Sequence, residues 1–253
     1  MSEFPTETHT PRPLTVGSLF SGIGGLELGL ERAGFKVIWQ CERDPYARKV
    51  LAKHWPNIPC YDDVRTLNAS TVERPDVLCG GFPCQDISSA GKGAGLAGER
   101  SGLWWEFFRL IRDLGPKYAL LENVAALTYR GLGDILGYLS EIGYDTEWSE
   151  LSACALGAPH VRRRLFIMAY PARVDGQNRL GERRGYQTTD EQAQRSEYTQ
   201  CWKDAPSGSP RSAHGVPNRM DRNRCVGNAV APPVAEFVAR RLLQIHRERV
   251  ISS

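Results

Sequence analysis

The chain has 253 residues, 41% apolar and 24% charged, with a formal net charge of +3. That length can bury one substantial core, or one core with a small appendage, and the composition is ordinary for a globular protein. The charge balance does not by itself announce a polyanionic partner, but it leaves room for a local basic patch. Seven cysteines, at 41, 60, 79, 84, 154, 201 and 225, form no Cys-x-x-Cys pair and no Cys/His cluster at zinc spacing. No charged segment precedes an apolar leader, and no apolar run is long enough to span a bilayer. The expected setting is therefore cytoplasmic, with free thiols, no membrane association and no metal site.

Residues 1–13 are polar with three prolines and read as a loose tail. From Leu14 onward, short apolar runs alternate with amphipathic stretches. Leu14–Phe20, Lys36–Cys41, Asp76–Gly80 and Tyr118–Glu122 read as buried strands. Gly25–Ala33, Pro45–Trp55 and Ser101–Leu114 read as helices, with Gly34 and Gly115 as stop signals. Such alternation predicts an α/β fold: a mostly parallel, doubly wound sheet with helices on both faces. Tyr144–Cys154 and Arg164–Tyr170 read as an antiparallel edge hairpin. Pro232–Val250 reads as a helix burying Val234, Phe237, Val238, Leu242 and Ile245.

Between Pro171 and Cys225 the character changes. Large aliphatics nearly vanish, and ten Arg and Lys face seven Asp and Glu, matching the chain's whole positive excess. Such a segment cannot hold a core of its own. It is either a floppy insertion or a small substrate-contacting appendage. The expected division is a tail over 1–13, a catalytic and cofactor-binding domain over 14–171, a short recognition segment over 172–215, and a returning C-terminal segment over 216–253.

Leu19-Phe20-Ser21-Gly22-Ile23-Gly24-Gly25 follows a strand and opens a helix. Glycines permit a sharp turn and close approach to a ligand, and the helix N-terminus offers free N–H groups. The second strand ends in Cys41-Glu42-Arg43-Asp44, where a carboxylate can hold a ribose hydroxyl pair. A dinucleotide fingerprint would require a small residue where Glu27 stands, which argues against NAD and allows another nucleoside. Tyr61-Asp62-Asp63-Val64 adds carboxylates that can accept an adenine amino group or simply cap a helix.

Cys84 follows Pro83 just beyond a buried strand, at the sheet edge where parallel α/β folds bind ligands. Glu122-Asn123-Val124 ends the next strand, and the alternation of Arg162 and Arg164 puts two guanidiniums on one face. Each has a plain alternative: a core cysteine, a solvated strand end, a basic surface stripe. Their coincidence at one edge favours a site for a polar substrate.

Those residues resemble the DNA (cytosine-5) methyltransferases. The match runs through Phe20-Ser21-Gly22-Ile23-Gly24-Gly25, Gly81-Phe82-Pro83-Cys84-Gln85, Glu122-Asn123-Val124, Arg162-Arg163-Arg164 and Gly227-Asn228-Ala229-Val230, in the family's order. The resemblance implies a Rossmann-like fold that binds S-adenosyl-L-methionine and releases S-adenosyl-L-homocysteine. In that reading Phe20 stacks on adenine, Glu42 holds the ribose, and Asp63 and Val64 contact the adenine. Ser21, Gly22, Ile23, Gly24, Gly25, Leu26, Arg43, Gly81, Pro83, Gln85, Leu103, Asn228, Ala229 and Val230 complete the cofactor pocket. It further implies duplex DNA as partner and a cytosine flipped from the helix. Cys84 would add to C6, Glu122 would serve N3 and the 4-amino group, and Arg164 with Arg162 would hold the O2 side.

The glycine-rich stretch from Asp86 to Arg100 would be the lid over the DNA. Ser88, Lys92 and Arg100, with Arg183 and Arg184 farther on, would contact the nucleic acid. A monomer is expected, of the restriction-modification or phage type, and pairing with a cognate restriction endonuclease fits so compact a chain.

The sequence departs from the family in three places. His160 replaces the glutamine before the arginines. The arginine-containing scaffold motif is not recognisable in His214–Val230. The recognition region is cut to roughly Ala172–Gly215, which predicts a short target site with phosphate contacts dominating. The rival readings are an RNA (tRNA) cytosine-5 methyltransferase and a catalytically silent nucleic-acid-binding relative.

Overall fold

A computed structural model describes residues 12–83, 102–172 and 219–251 of the chain. Seven strands form one sheet in the order β3-β2-β1-β4-β5-β7-β6. They are β1 (Thr15–Leu19), β2 (Lys36–Cys41), β3 (Cys60–Tyr61), β4 (Val77–Gly80), β5 (Tyr118–Val124), β6 (Tyr144–Ser152) and β7 (Arg163–Pro171). β1 through β5 pair in parallel, while β7 runs antiparallel to both β5 and β6. The expected hairpin is therefore present, with β7 inserted between β5 and β6.

Seven α-helices and two short 3-10 turns, Val64–Thr66 and Ala153–Leu156, complete the described elements; the helices are α1 (Gly25–Arg32), α2 (Pro45–His54), α3 (Leu103–Leu114), α4 (Leu127–Arg130), α5 (Leu132–Glu141), α6 (Arg219–Asn228) and α7 (Pro232–Ile251). Gly34 and Gly115 stand at φ 99° and 55° just past α1 and α3, a left-handed conformation that glycine adopts without a Cβ clash. Asp44 caps α2 by accepting from the Tyr46 and Ala47 amides at 2.8 and 3.0 Å, with Pro45 in the first turn.

The parallel strands are buried on both faces. One face packs Leu19, Trp39, Leu78 and Leu121 against Trp104, Phe107, Leu110 and Ile111 of α3. The other packs Val16, Val37, Val77 and Leu120 against Leu26 and Leu30 of α1 and the apolar stripe of α7. All five α7 residues expected on the buried face are buried. A Cβ on Gly29 would lie 2.3 Å from the Ala235 Cβ, so α1 and α7 touch through bare backbone.

α5 and α6 escape a sequence reading for different reasons. α5 buries Leu132, Ile135 and Leu139, but glycines at 131, 133 and 137 dilute its pattern. α6 has no apolar periodicity, carrying Gly227 and Asn228 among charged residues, so tertiary contacts decide its helicity.

Arg12, at the end of the expected tail, donates to Asp76 at 2.7 and 3.1 Å. Asp76 also accepts from the Thr15 amide at 2.9 Å and pairs with Lys117 at 3.0 Å. Burial alone would raise this carboxyl, but Arg12, Thr15 and Lys117 outweigh it and hold it below the usual range. A depressed carboxyl contributes stability that is complete above its unfolded value near pH 4 and is lost as pH falls further. Asp76→Ala should cost about 2 kcal/mol at neutral pH. Urea denaturation of the two proteins at neutral pH and near pH 2.5 should show that difference shrinking in acid.

Candidate active site

A cavity of about 600 Å³ opens at the C-terminal edge of the parallel strands. Phe20, Ser21, Gly22, Gly25 and Leu26 form one wall, Glu42, Arg43, Asp63 and Val64 a second, and Asn228, Ala229 and Val230 a third. Gly81, Pro83, Leu103 and the strand end at Glu122 and Arg164 close it. Two residues of the turn stand elsewhere: Ile23 and Gly24 line a neighbouring hollow on the far side of the Ala229–Val230 segment.

The glycine turn is tightly boxed. Phe20 has φ 54°, the only non-glycine with positive φ among the described residues, and that strained backbone sets its ring at the cavity wall. A Cβ on Gly24 would meet the Trp55 ring at 2.3 Å, and one on Gly25 would meet the Val230 carbonyl oxygen at 2.2 Å. The Trp55 indole is held by donating to Glu31 at 3.0 Å. Beneath the turn, Glu27 is fully buried and accepts from Ser18 at 2.6 Å; burial raises its carboxyl while the serine hydroxyls oppose that.

Glu42 accepts from the Gly22 amide at 2.7 Å through one oxygen and from the Asp44 amide at 2.7 Å through the other. A carboxylate has about four lone-pair sites, so acceptor capacity remains for a ligand. Asp63 accepts from the Arg65 amide at 3.0 Å, capping a 3-10 turn, and also lines the cavity.

At the other end, the Arg164 Nε lies 2.9 Å from a Glu122 oxygen, and both side chains are largely buried. Antiparallel register causes this: Val124 faces Arg164 and Glu122 faces Phe166, so Glu122 and Arg164 are diagonal neighbours on one face. Burial pushes the Glu122 carboxyl above its ordinary range, while Arg164 and Arg162 pull it back. Arg162 does not share that bond. Its two terminal nitrogens donate to the Gly227 and Ala229 carbonyls, each at 2.7 Å.

Cys84, Gln85, Ser88, Lys92, Arg100, Arg183 and Arg184 lie outside the described residues, as do residues 1–11 of the expected tail over 1–13 and the span 173–218. The path to Cys84 is described as far as Pro83. Asn123 donates to the Phe82 carbonyl at 3.0 Å, tying the acid's strand to the residue two before Cys84. A Cβ on Gly81 would stand 2.6 Å from a Glu122 oxygen, so β4 must leave the sheet as bare backbone there. Neither role is legible in the sequence, which marks Asn123 and Gly81 only as motif members. Trp55 carries no motif at all.

The strand order, with the glycine turn at the sheet's ligand edge, defines the Rossmann-like fold class of the methyltransferases. A family model for C-5 cytosine-specific DNA methylases matches residues 14–210, and the chain belongs to that family. The type II methyltransferase M2.BsuMI of Bacillus subtilis is 39% identical over 166 residues, covering 62% of this chain and 42% of the relative. Type II methyltransferase M.Eco47II of Escherichia coli is 38% identical over 176 residues, covering 66% and 42%. Each match thus takes in less than half the relative's length. A crystal structure of a Spodoptera frugiperda DNMT2 mutant superposes with a TM-score of 0.55 at 18% identity, over 67% of this chain and 53% of that one. That last likeness concerns the fold.

Arg164→Met leaves Glu122 buried without its partner and should cost about 3 kcal/mol of stability at neutral pH. The penalty acts on the ionised acid: the folded carboxyl rises further above its unfolded value, so the loss is absent below that value and grows as pH rises. Denaturation midpoints measured from about pH 4 to pH 8 check this.

Proposed function

We propose that the chain transfers a methyl group from S-adenosyl-L-methionine to C5 of a cytosine flipped out of duplex DNA. The observation that carries the reading is one cavity with a nucleoside-type carboxylate at one end and a buried Glu–Arg pair at the other. The residues present fit the cofactor: Glu42 retains acceptor capacity, Phe20 offers a ring face, and the bare backbone of the turn admits close approach. When bound, the cofactor supplies a methyl group activated by a sulfonium centre.

The protein's own groups do the rest. The Cys84 thiolate adds to C6, forming a C–S bond and pushing electron density to C5. Glu122, whose burial favours the protonated state, gives a proton to N3 and neutralises the charge that develops there. Arg164 keeps the acid oriented and supplies positive charge beside the base. After C5 gains its methyl group, a base removes the C5 proton, the C–S bond breaks to return the thiolate, and N3 gives its proton back to Glu122.

Two of the buried thiols are poor candidates for that role. Burial pushes Cys41 up to about 12 and Cys79 well above the usual thiol range, so neither ionises near neutral pH. In the proposed reading the role falls to Cys84, which follows Pro83 at the cavity's edge.

We propose duplex DNA as substrate, with a short target site, and a reaction carried out by the monomer in the cytoplasm. No helix among the described residues is long and apolar enough to cross a membrane. A cognate restriction endonuclease remains the proposed biological pairing.

Bisulfite sequencing of plasmid from methylation-deficient cells should show methylated cytosines in a short reproducible context, and Cys84→Ser should abolish them. Label transfer to tRNA instead of duplex DNA would replace DNA with RNA in this reading. Glu122→Gln, which cannot give up a proton to N3, should lower kcat by about 100-fold or more while S-adenosylhomocysteine binding stays close to wild type. Single-turnover kinetics and calorimetry separate the two effects.

A further inference from the structure

We infer that Arg162 is a positioning residue holding the C-terminal wall of the cofactor cavity, distinct in role from Arg164 two residues on. The inference rests on the proposed use of that cavity for S-adenosylmethionine.

Arg162 stands just before β7 and Arg164 is its second residue, and the structure sends them to different places. Arg164 turns to Glu122. Arg162 reaches the far end of the chain, where its fork bridges the carbonyls of Gly227 and Ala229, both at 2.7 Å. Those carbonyls flank Asn228, the last residue of α6. Helix C-terminal carbonyls lack intrahelical partners and carry partial negative charge, so a guanidinium is favoured there on both counts.

The clamped segment is a working wall. Asn228, Ala229 and Val230 line the cavity, and the Val230 carbonyl sits directly over Gly25 of the glycine turn. Displacing it would open the cavity from the side opposite Glu42. Val230 and Ala231 anchor its far side against the core, but α6 before it has no apolar stripe, so the end at 227–229 takes its side-chain anchor from Arg162. A planar two-pronged donor suits two carbonyls spaced two residues apart, which a single ammonium matches less well. Arg162 is thus joined through the backbone of β7 to the Glu122–Arg164 pair and through its side chain to the cofactor wall.

The test uses the full chain and three variants: Arg162→Met, Arg162→Lys, and Arg163→Met as a control for charge loss at the same strand start. Arg163 pairs instead with Glu150 on the surface at 3.4 Å. Two quantities are read: the Kd for S-adenosylhomocysteine by calorimetry, and amide hydrogen exchange over residues 225–231 in ligand-free protein. Arg162→Met should raise Kd by about tenfold or more and speed exchange in that segment, with Arg162→Lys intermediate and Arg163→Met within about twofold of wild type.

Should Arg162→Met fail to fold, the lysine variant carries the comparison, because it keeps the charge and loses only the fork. Wild-type Kd in the Arg162 variants would overturn the inference. So would weaker binding with unchanged exchange, because the arginine would then act on the ligand directly. If wild-type protein does not bind S-adenosylhomocysteine, the cofactor reading fails on its own. In that case faster exchange at 225–231 still supports the clamp, and unchanged exchange overturns it.

Discussion

The site depends on the insertion of β7 antiparallel between β5 and β6. A parallel strand in that position would enter from the opposite end and carry its first residues away from the ligand edge. Running antiparallel, β7 delivers its opening arginines to the edge where β5 ends in Glu122. The register makes Glu122 and Arg164 diagonal neighbours, and burial makes their pairing matter. An isolated carboxylate at this depth would shed its charge, whereas one beside a guanidinium can hold either state. That balance suits the proton exchange with N3 proposed for Glu122.

The side of the cavity proposed for the cofactor is built on close backbone approach. Gly24, Gly25 and Gly29 each sit where a Cβ would strike Trp55, the Val230 carbonyl or α7. The turn can therefore stay tight only because α7 and the segment before it press against α1. Phe20 adds local strain at the same place, a cost that the buried sheet around it supports. The two halves of the cavity meet through neighbouring strands: β4 leaves the sheet past Glu122 as bare glycine, and Asn123 holds the Phe82 carbonyl. The chain thus reaches Pro83 with its course set from two sides.

Much of this was legible before the fold was known. The parallel core showed as short apolar runs separated by helical stretches because strands buried on both faces need no polar alternation. Gly34 and Gly115 marked helix ends because only glycine enters the left-handed region without strain. The face of α7 was readable from its 3.6-residue spacing, and all five of its expected core residues are buried. α6 was not readable, since its charged sequence has no such period and its place comes from contacts with distant residues, Arg162 among them.

By itself the sequence determined the element types, the apolar faces, the glycine turn and the chemical kinds of residue gathered at motif positions, since all of these rest on local periodicity and backbone permissiveness. Tertiary structure alone decided which arginine meets the acid, which one meets the C-terminal wall, and why Asn123, Gly81 and Trp55 stand where they do. Those assignments turn on strand register and on contacts between residues far apart in the chain, and alternation places both guanidiniums on one face without saying where either reaches.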